Sequence, residues 1–98
     1  MFTGIIECLG KVEGLFFDKS NLVITVSSAI SKDLKIDQSL AHDGVCLTIV
    51  EVNDSTHKVV AIAETLLKSN LGQWKVGTLV NIERCIPMNG RLDGHIVQ

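Results

Sequence analysis

Alternation of apolar and polar residues along the chain predicts several short β-strands. In residues 21–28, Leu22, Ile24 and Val26 share one side of the predicted strand, since successive residues of a strand point to opposite faces of a sheet. The same period of two recurs in three further segments, residues 45–52, 58–63 and 78–85. We therefore expect a chain that folds mainly as β-structure.

A longer strand is predicted ahead of these, over residues 5–15, and it contains Gly10 and Gly14. Glycine within a strand pattern is typical of bulges and tight bends, which the closure of a small barrel requires. Polar clusters at residues 18–21 and 53–56 are typical of turns between strands. The pattern thus favours short strands joined tightly in sequence.

Two short helices are expected between the strands. The first, over residues 29–34, has Ser28 available as its N-cap. The second, over residues 64–69, is expected to end with Gly72 in a left-handed cap. Together these elements predict an all-β fold, a small six-stranded antiparallel Greek-key barrel with one or two short helices, as a single domain over residues 1–98. The sequence contains no recognisable internal repeat.

Composition limits the classes of function. A net charge of −2 with no cluster of Lys or Arg argues against nucleic-acid binding. No apolar run is long enough to span a membrane, and residues 1–6 lack the basic and apolar regions of a signal peptide. Cys8, Cys46 and Cys85 follow no zinc-binding spacing, so we expect reduced thiols in a cytoplasmic protein.

The best candidate chemistry follows the turn dipeptide Asp43-Gly44. The strand after this turn places Cys46 and Thr48 on one face, two residues apart, among aliphatic neighbours. A face of this kind suits the floor of a small-molecule site. The alternative is structural, with Thr48 as a β-branched strand residue and Cys46 as a small buried hydrophobe. The residues alone leave both interpretations open.

Three other places hold residue types that carry chemistry, each with a structural alternative. His42 precedes an aspartate, but adjacent strand residues face opposite ways, so a catalytic contact between them is disfavoured and a position flanking the turn is the alternative. Gly94-His95 either brings an imidazole to a ligand or belongs to a frayed tail. Glu64 and Thr65 lie at a strand-to-helix junction, where Glu64 also suits the helix N-terminus. No phosphate-binding loop, dinucleotide motif or metal-ligand pattern occurs.

Five segments carry a resemblance to a known family. They are Met1-Phe2-Thr3-Gly4-Ile5, residues 41–48 (AHDGVCLT), Glu64-Thr65-Leu66 with Asn70-Leu71-Gly72, residues 75–84 (KVGTLVNIER) and Gly94-His95. In this order and spacing they resemble riboflavin synthase over essentially the whole chain. The match is to the N-terminal half only, because family members carry two similar barrels and a C-terminal helix that assembles a homotrimer. The resemblance implies an isolated N-terminal lumazine- or flavin-binding barrel.

The resemblance also implies a reaction. Family members transfer a four-carbon unit between two molecules of 6,7-dimethyl-8-ribityllumazine, which yields riboflavin and 5-amino-6-(ribitylamino)uracil, and they require no metal or organic cofactor. The reaction needs acidity at the C7-methyl group of one lumazine, a nucleophile at C7 of the other, and two rings held face to face. Each site lies between the N-terminal barrel of one subunit and the C-terminal barrel of its neighbour. The expected ligands are 6,7-dimethyl-8-ribityllumazine and riboflavin.

Site residues follow from the same resemblance. Phe2 and Thr3 match N-terminal positions that reach the site, and His95 matches a histidine of the tail, so these three and Cys46 are the candidate catalytic residues. A polarising contact from the Cys46 thiol serves as well as covalent attack. The candidate ligand-binding residues are Ser39, Ala41, Cys46, Thr48, Ile62, Glu64, Thr65, Gly94 and His95.

The family tail continues into a second Gly-His and then the C-terminal barrel, whereas this chain ends at Gln98. We therefore expect binding of lumazine or flavin with weak or no turnover, and a possible homodimer of the fragment. One alternative is a non-catalytic lumazine-carrying protein, which would depart from the enzyme at Cys46 and in the N-terminal Phe-Thr-Gly-Ile pattern. Another is the flavin barrel of ferredoxin-reductase-like enzymes, whose Arg-x-Tyr-Ser motif is missing here because the chain has no tyrosine.

Overall fold

Six antiparallel strands close into a barrel in the structure, a computed structural model that describes residues 8–84. The strands are β1 (Cys8–Asp18), β2 (Asn21–Ser27), β3 (Ser39–His42), β4 (Val45–Val52), β5 (Thr56–Ala61) and β6 (Leu79–Arg84). Around the barrel they follow the order β1-β2-β5-β4-β3-β6, and β6 pairs back onto β1. Closure pairs each of these strands on both sides, which confirms the predicted six-stranded antiparallel barrel.

The hydrophobic core fills the inside of this barrel. Leu22, Ile24 and Val26 of β2 are buried, as their alternation in the sequence predicts. Inward residues of the other five strands add to the cluster, among them Val12, Leu40, Ile49, Val59 and Ile82, and Leu34, Leu71 and Trp74 join it from the connections. Burying a side chain of this size stabilises the fold by about 1.5–3 kcal/mol. The alternation of apolar and polar residues in the sequence therefore arises because every second strand residue points into this core.

Two strands carry bulges that help the sheet to curve. The pairing register shifts between Val12 and Gly14 in β1, and between Ile49 and Glu51 in β4. A bulge bends its strand and increases the local twist, as closure of a small barrel needs. The bulge predicted near Gly14 is confirmed, whereas Gly10 pairs with Val80 in regular register and the bulge in β4 contains no glycine to predict it.

The two halves of the described chain have the same backbone arrangement at equivalent positions. The backbone N–H of Asp37 donates to the carbonyl of Ile49 (2.8 Å), and that of Gly77 donates to the carbonyl of Val12 (2.7 Å). Asp37 and Gly77 both have positive φ, 74° and 98°. Ile49 and Val12 each lie at the bulge of their strand. The unit β1-β2-β3 therefore matches the unit β4-β5-β6, a structural repeat that we did not recognise in the sequence.

The first predicted helix is wrong. Residues 29–34 form only one 3₁₀ turn, Ser31–Asp33, and no side chain caps it. The hydroxyl of Ser28 instead lies 2.8 Å from Ser31 Oγ. Ser31 is completely buried, and its hydroxyl forms a hydrogen bond inside the barrel with His57. This buried contact determines the local conformation and outweighs the helix propensity of the segment.

The second predicted helix is confirmed within one residue. Helix α1 (Ala63–Lys68) follows β5 directly, and its first turn contains Glu64 as predicted. The predicted cap is wrong, because Gly72 lies in a separate 3₁₀ turn, Leu71–Gln73. The chain leaves α1 in an extended conformation at Ser69, so no left-handed cap is needed there. Among the described residues, no helix has the length and apolarity that crossing a bilayer requires.

Candidate ligand-binding site

Four predicted site residues lie together on the outside of the barrel. Ser39 of β3 is opposite Thr48 of β4, and Ala41 is opposite Cys46. On the other side of β4, Thr48 is opposite Val60 of β5. The residues that alternate with these point into the core. We call these five residues the β3–β4–β5 face.

The β3–β4–β5 face presents polar groups on the outer surface of the sheet. Cys46 and Thr48 are exposed, Ser39 is half-buried and Ala41 is only 3% exposed. Directly opposite side chains in an antiparallel pair stand about 4.5–5.5 Å apart at Cβ. Two hydroxyls and a thiol therefore present hydrogen-bonding groups over a small area. The alternative of Cys46 as a buried hydrophobe is excluded, since its side chain is exposed and forms no disulfide.

The junction between β5 and α1 borders this face. Ile62 lies two residues beyond Val60, is 52% exposed, and its carbonyl accepts the N–H of Leu66 at 3.0 Å. It thus adds a large exposed apolar side chain next to the polar groups. Such a combination suits a ligand with a flat ring and polar edges.

Glu64 and Thr65 lie in the first turn of α1, which begins directly after Ile62. Lys68 Nζ donates to Glu64 Oε2 at 2.9 Å, and both side chains are largely exposed. The carbonyl of Thr65 accepts the hydroxyl of Ser69 at 2.7 Å, and Thr65 itself is half-buried. An exposed ion pair of this kind is easily exchanged for another partner, so the Glu64 carboxylate is accessible to a ligand.

A buried histidine pair lies behind the β3–β4–β5 face. His42 Nε2 and His57 Nε2 are 3.0 Å apart, and neither residue is accessible to solvent. The ring centroids are 5.3 Å apart and the planes are tilted by 48°. His42 therefore neither faces solvent beside the turn nor reaches an external ligand. We missed this pair, although both residues occupy the inward position of the alternating pattern, in phase with Leu40 and Val59.

One arrangement of protons satisfies every hydrogen bond of this pair. His42 Nδ1 lies 3.1 Å from the carbonyl of Leu40, which can only accept, so Nδ1 carries the proton. His42 Nε2 then accepts from His57 Nε2–H, and His57 Nδ1 accepts from the hydroxyl of Ser31 at 2.7 Å. Ser31 in turn accepts from Ser28 at 2.8 Å. Both histidines are thus neutral, and the whole chain of bonds is satisfied.

Burial keeps these histidines neutral. It lowers the pKa of His42 to about 4, against the opposing effect of the hydrogen bond to Leu40. Burial, together with the charge that His42 would carry, lowers the pKa of His57 to about 4. At neutral pH the pair is therefore a hydrogen-bonded structural unit without charge.

Comparison with known proteins identifies the barrel. The family described as "Lumazine binding domain" matches residues 3–85. The chain belongs to this lumazine-binding domain family. It is 42% identical over 106 residues to riboflavin synthase of Saccharomyces cerevisiae, covering 100% of this chain and 44% of the yeast protein. It is 43% identical over 101 residues to riboflavin synthase of Mycobacterium tuberculosis (strain ATCC 25618 / H37Rv), covering 100% of this chain and 50% of that protein. The lumazine-binding barrel thus spans about half the length of these relatives.

Solved structures agree on the fold. The crystal structure of LumP complexed with 6,7-dimethyl-8-(1'-D-ribityl) lumazine superposes with a TM-score of 0.81 at 17% identity, covering 100% of this chain and 52% of LumP. The LumP complex with flavin mononucleotide gives 0.77 at 22% identity, covering 86% of this chain and 49% of LumP. The predicted resemblance to riboflavin synthase and the predicted fold are both confirmed.

The lumazine-binding barrel brings together some predicted residues and leaves others apart. Ser39, Ala41, Cys46 and Thr48 form one contiguous surface, bordered by Ile62. Glu64 and Thr65 lie on α1 beside it. The remaining candidates, Phe2, Thr3, Gly94 and His95, lie outside the described residues. The functional role of each of these residues stays a prediction.

Two other features of the lumazine-binding barrel do not join this site. A shallow apolar cavity of about 140 Å³ is lined by Leu15, Phe16, Phe17, Leu22, Gly72 and Trp74. Its lining comes from β1, β2 and the second 3₁₀ turn with the residue that follows it, whereas the five residues of the face come from β3, β4 and β5. Residues 8–84 also contain no group of three His, Cys, Asp or Glu side chains that could hold a metal ion.

Proposed function

We propose that this chain binds 6,7-dimethyl-8-ribityllumazine or riboflavin on the β3–β4–β5 face. The observation that carries the proposal is the pairing of Ser39 with Thr48 and of Ala41 with Cys46, which places the exposed Thr48 and Cys46 beside the half-buried Ser39 on the outer surface of the barrel. Hydroxyl groups both donate and accept, so they suit the carbonyl and ring-nitrogen edge of a pteridine. Val60 and Ile62 supply apolar contact for the ring face.

For the whole protein we propose riboflavin synthase activity. Two lumazines exchange a four-carbon unit and leave as riboflavin and 5-amino-6-(ribitylamino)uracil, with no metal or organic cofactor. The 42–43% identity to riboflavin synthases over all of this chain supports this activity. Holding two rings face to face is chiefly a problem of orientation, so a second barrel is needed for the second ring.

The proposed partners follow from that requirement. This barrel would hold one lumazine, and a C-terminal barrel of the full-length chain, in a homotrimer, would hold the other. A homodimer of this chain is the proposed arrangement of the barrel alone, with weak or no turnover. Phe2, Thr3, Cys46 and His95 are the proposed catalytic residues. The proposed location is the cytoplasm, and the unpaired thiols of Cys8 and Cys46 support it.

A fluorescence titration tests the binding site. Riboflavin and 6,7-dimethyl-8-ribityllumazine are titrated into the chain and into Thr48→Val and Cys46→Ala. Losing one hydrogen bond to the ligand is expected to weaken binding by about tenfold for Thr48→Val. Thr25→Val is the matched control, because Thr25, on the neighbouring strand β2, is opposite Lys58 and is not one of the five residues of the β3–β4–β5 face. Equal affinities of Thr48→Val and Thr25→Val would place the ligand elsewhere.

A non-catalytic lumazine carrier is the second candidate. The likeness of the fold to the LumP complexes favours it. The two candidates differ in turnover, so the full-length protein incubated with 6,7-dimethyl-8-ribityllumazine is expected to release riboflavin if it is the enzyme. Retention of unchanged lumazine would support the carrier.

A further inference from the structure

The histidine pair connects two strands that do not pair with each other. His42 belongs to β3 and His57 to β5, and β4 lies between these strands in the barrel. The Nε2–Nε2 hydrogen bond of 3.0 Å therefore crosses the inner surface of β4. The outer surface of the same three strands is the β3–β4–β5 face. The bond and the candidate binding surface are thus the two sides of one curved sheet.

Apolar side chains surround the pair on all the strands that pack against it. The residues opposite the two histidines are Val26 and Val52 across from His57, and Val45 and Ile82 across from His42. The Ser31 hydroxyl is the polar group that meets the pair from the first 3₁₀ turn. In such surroundings a hydrogen bond is strong, and an unpaired ring nitrogen is costly.

Charged groups of the neighbouring elements point mostly away from the pair. They are Lys32 and Asp33 on the 3₁₀ turn, Asp43 after β3, Glu51 on β4, Lys58 on β5, and Glu83 and Arg84 on β6. Lys58 pairs with Glu51 at 3.8 Å on the outer surface, and Asp43 Oδ1 accepts the N–H of Asn81. Within residues 8–84, Arg84 is the charged residue in phase with the inward positions of β6, where it is opposite Leu40 of β3.

The chain of bonds can hold one extra proton but not two. A proton on His57 Nδ1 donates to Ser31, whose hydroxyl turns to donate to Ser28, and the His42–His57 bond remains. A second proton on His42 Nε2 would face the His57 Nε2–H and abolish that bond. The link between β3 and β5 therefore depends on the protonation of the pair.

We infer that His42 and His57 are positioning residues, whose mutual hydrogen bond sets the curvature of the β3–β4–β5 face and thereby its affinity for the ligand. The inference rests on the proposed function for the ligand, although the bond itself does not. Without the bond, β3 and β5 lose their direct link across β4, and the curvature that sets the distance from Ser39 and Ala41 to Val60 is expected to change. A flat ring held across all three strands then loses part of its contact.

Nuclear magnetic resonance on the whole chain tests the first step. Imidazole ¹⁵N shifts are expected to show His42 protonated at Nδ1 and His57 protonated at Nε2 at neutral pH. The opposite tautomers, or a charged pair at neutral pH, would overturn the inference. Acidification is expected to move the amide signals of Ser39 and Thr48 when the pair takes up its second proton, which abolishes the His42–His57 bond.

Two variants test the second step. The amide of His57→Gln can still donate to His42 Nε2, whereas His57→Leu leaves that nitrogen without a donor. Riboflavin affinity is expected to fall by about tenfold in His57→Leu and by less than about threefold in His57→Gln. Equal affinities of the two folded variants would overturn the inference. If His57→Leu does not fold, Ser31→Ala takes its place, because it removes the donor that fixes the His57 tautomer.

The amide spectra separate this inference from the proposed function. If the unaltered chain binds no riboflavin, the proposed function fails and the amide shifts alone decide the positioning role. Movement of Ser39 and Thr48 signals in His57→Leu but not in His57→Gln supports it. Unchanged signals in both variants overturn it.

Discussion

Gly10 is the described glycine at which an added Cβ would make the closest contacts. A Cβ at this position would collide with Ile82 Cδ1 and Val26 Cγ1, both inside the core. Gly10→Ala is therefore expected to lower the free energy of unfolding by about 1–3 kcal/mol, through overpacking. Urea denaturation measures this change. Gly72→Ala is the matched control, because a Cβ there meets nothing within 4 Å; equal losses in both variants would contradict the prediction.

The buried histidines make stability depend on pH. Their pKa is about 4 in the folded chain and 6.5 ordinarily, so between these values the unfolded chain takes up protons that the folded chain does not. The contribution of the neutral histidines to the free energy of unfolding is fully present above pH 6.5 and is lost as the pH falls towards 4. Each histidine is expected to account for up to about 1.4 kcal/mol per pH unit in that window. The measurement is the free energy of unfolding at pH 7 and pH 5.

His57→Gln isolates this contribution from that of the carboxylates, which titrate in both proteins. The variant is expected to lose less stability between pH 7 and pH 5 than the unaltered chain. Identical losses would mean that the histidine pair does not cause the pH dependence of stability.

The inward position of His42 could have been predicted from Leu40, two residues before it, but its pairing with His57 could not. The two residues are 15 positions apart and meet only through barrel closure.

Strands were the elements that the sequence predicted best. A core on one side of the sheet requires an apolar residue at every second strand position, and this alternation is visible in the sequence. Strands β2 and β4 accordingly lie at the predicted residues, within one residue at each end. The 3₁₀ turn at Ser31–Asp33 was missed because the buried Ser31 hydroxyl serves His57, which local propensity does not report. The repeat of two three-stranded units was missed because few residues are identical between the units, Lys35 and Lys75 among them. The equivalent hydrogen bonds from the backbone N–H groups of these two lysines to Gln38 and Thr78 appear only in the structure.

The two positive-φ positions of that repeat allow a prediction about the connecting loops. Gly77 has φ of 98° and Asp37, its counterpart, has 74°. Gly77→Val is expected to lower the free energy of unfolding by about 1–2 kcal/mol, because β-branched residues tolerate this region poorly. Gly77→Asp is expected to cost less, since aspartate adopts the equivalent conformation at residue 37. Thermal unfolding of both variants provides the test, and equal costs would mean that backbone conformation does not set the choice of residue.

At the scale of the whole molecule, the candidate site within residues 8–84 is one surface on the outside of the barrel, where Cys46 and Thr48 are exposed. The proposed reaction needs two lumazines in contact, so a second surface has to hold the other ring. The sequence predicted the surface through the phase of Cys46 and Thr48. Its pairing with Ser39 and Ala41 follows from strand register, which sequence alone does not set.

Turnover by this chain is therefore expected to depend on encounters between two barrels. If each barrel holds one lumazine, the rate of riboflavin formation per chain rises with chain concentration while association is incomplete, because two loaded barrels must meet. The measurement is the initial rate at saturating 6,7-dimethyl-8-ribityllumazine over a wide range of chain concentration, with Thr25→Val as the control variant and Thr48→Val as the impaired one. A measurable rate per chain that stays constant down to concentrations at which the chain is monomeric would mean that one barrel holds both rings, and the β3–β4–β5 face would then be too small to be the whole site.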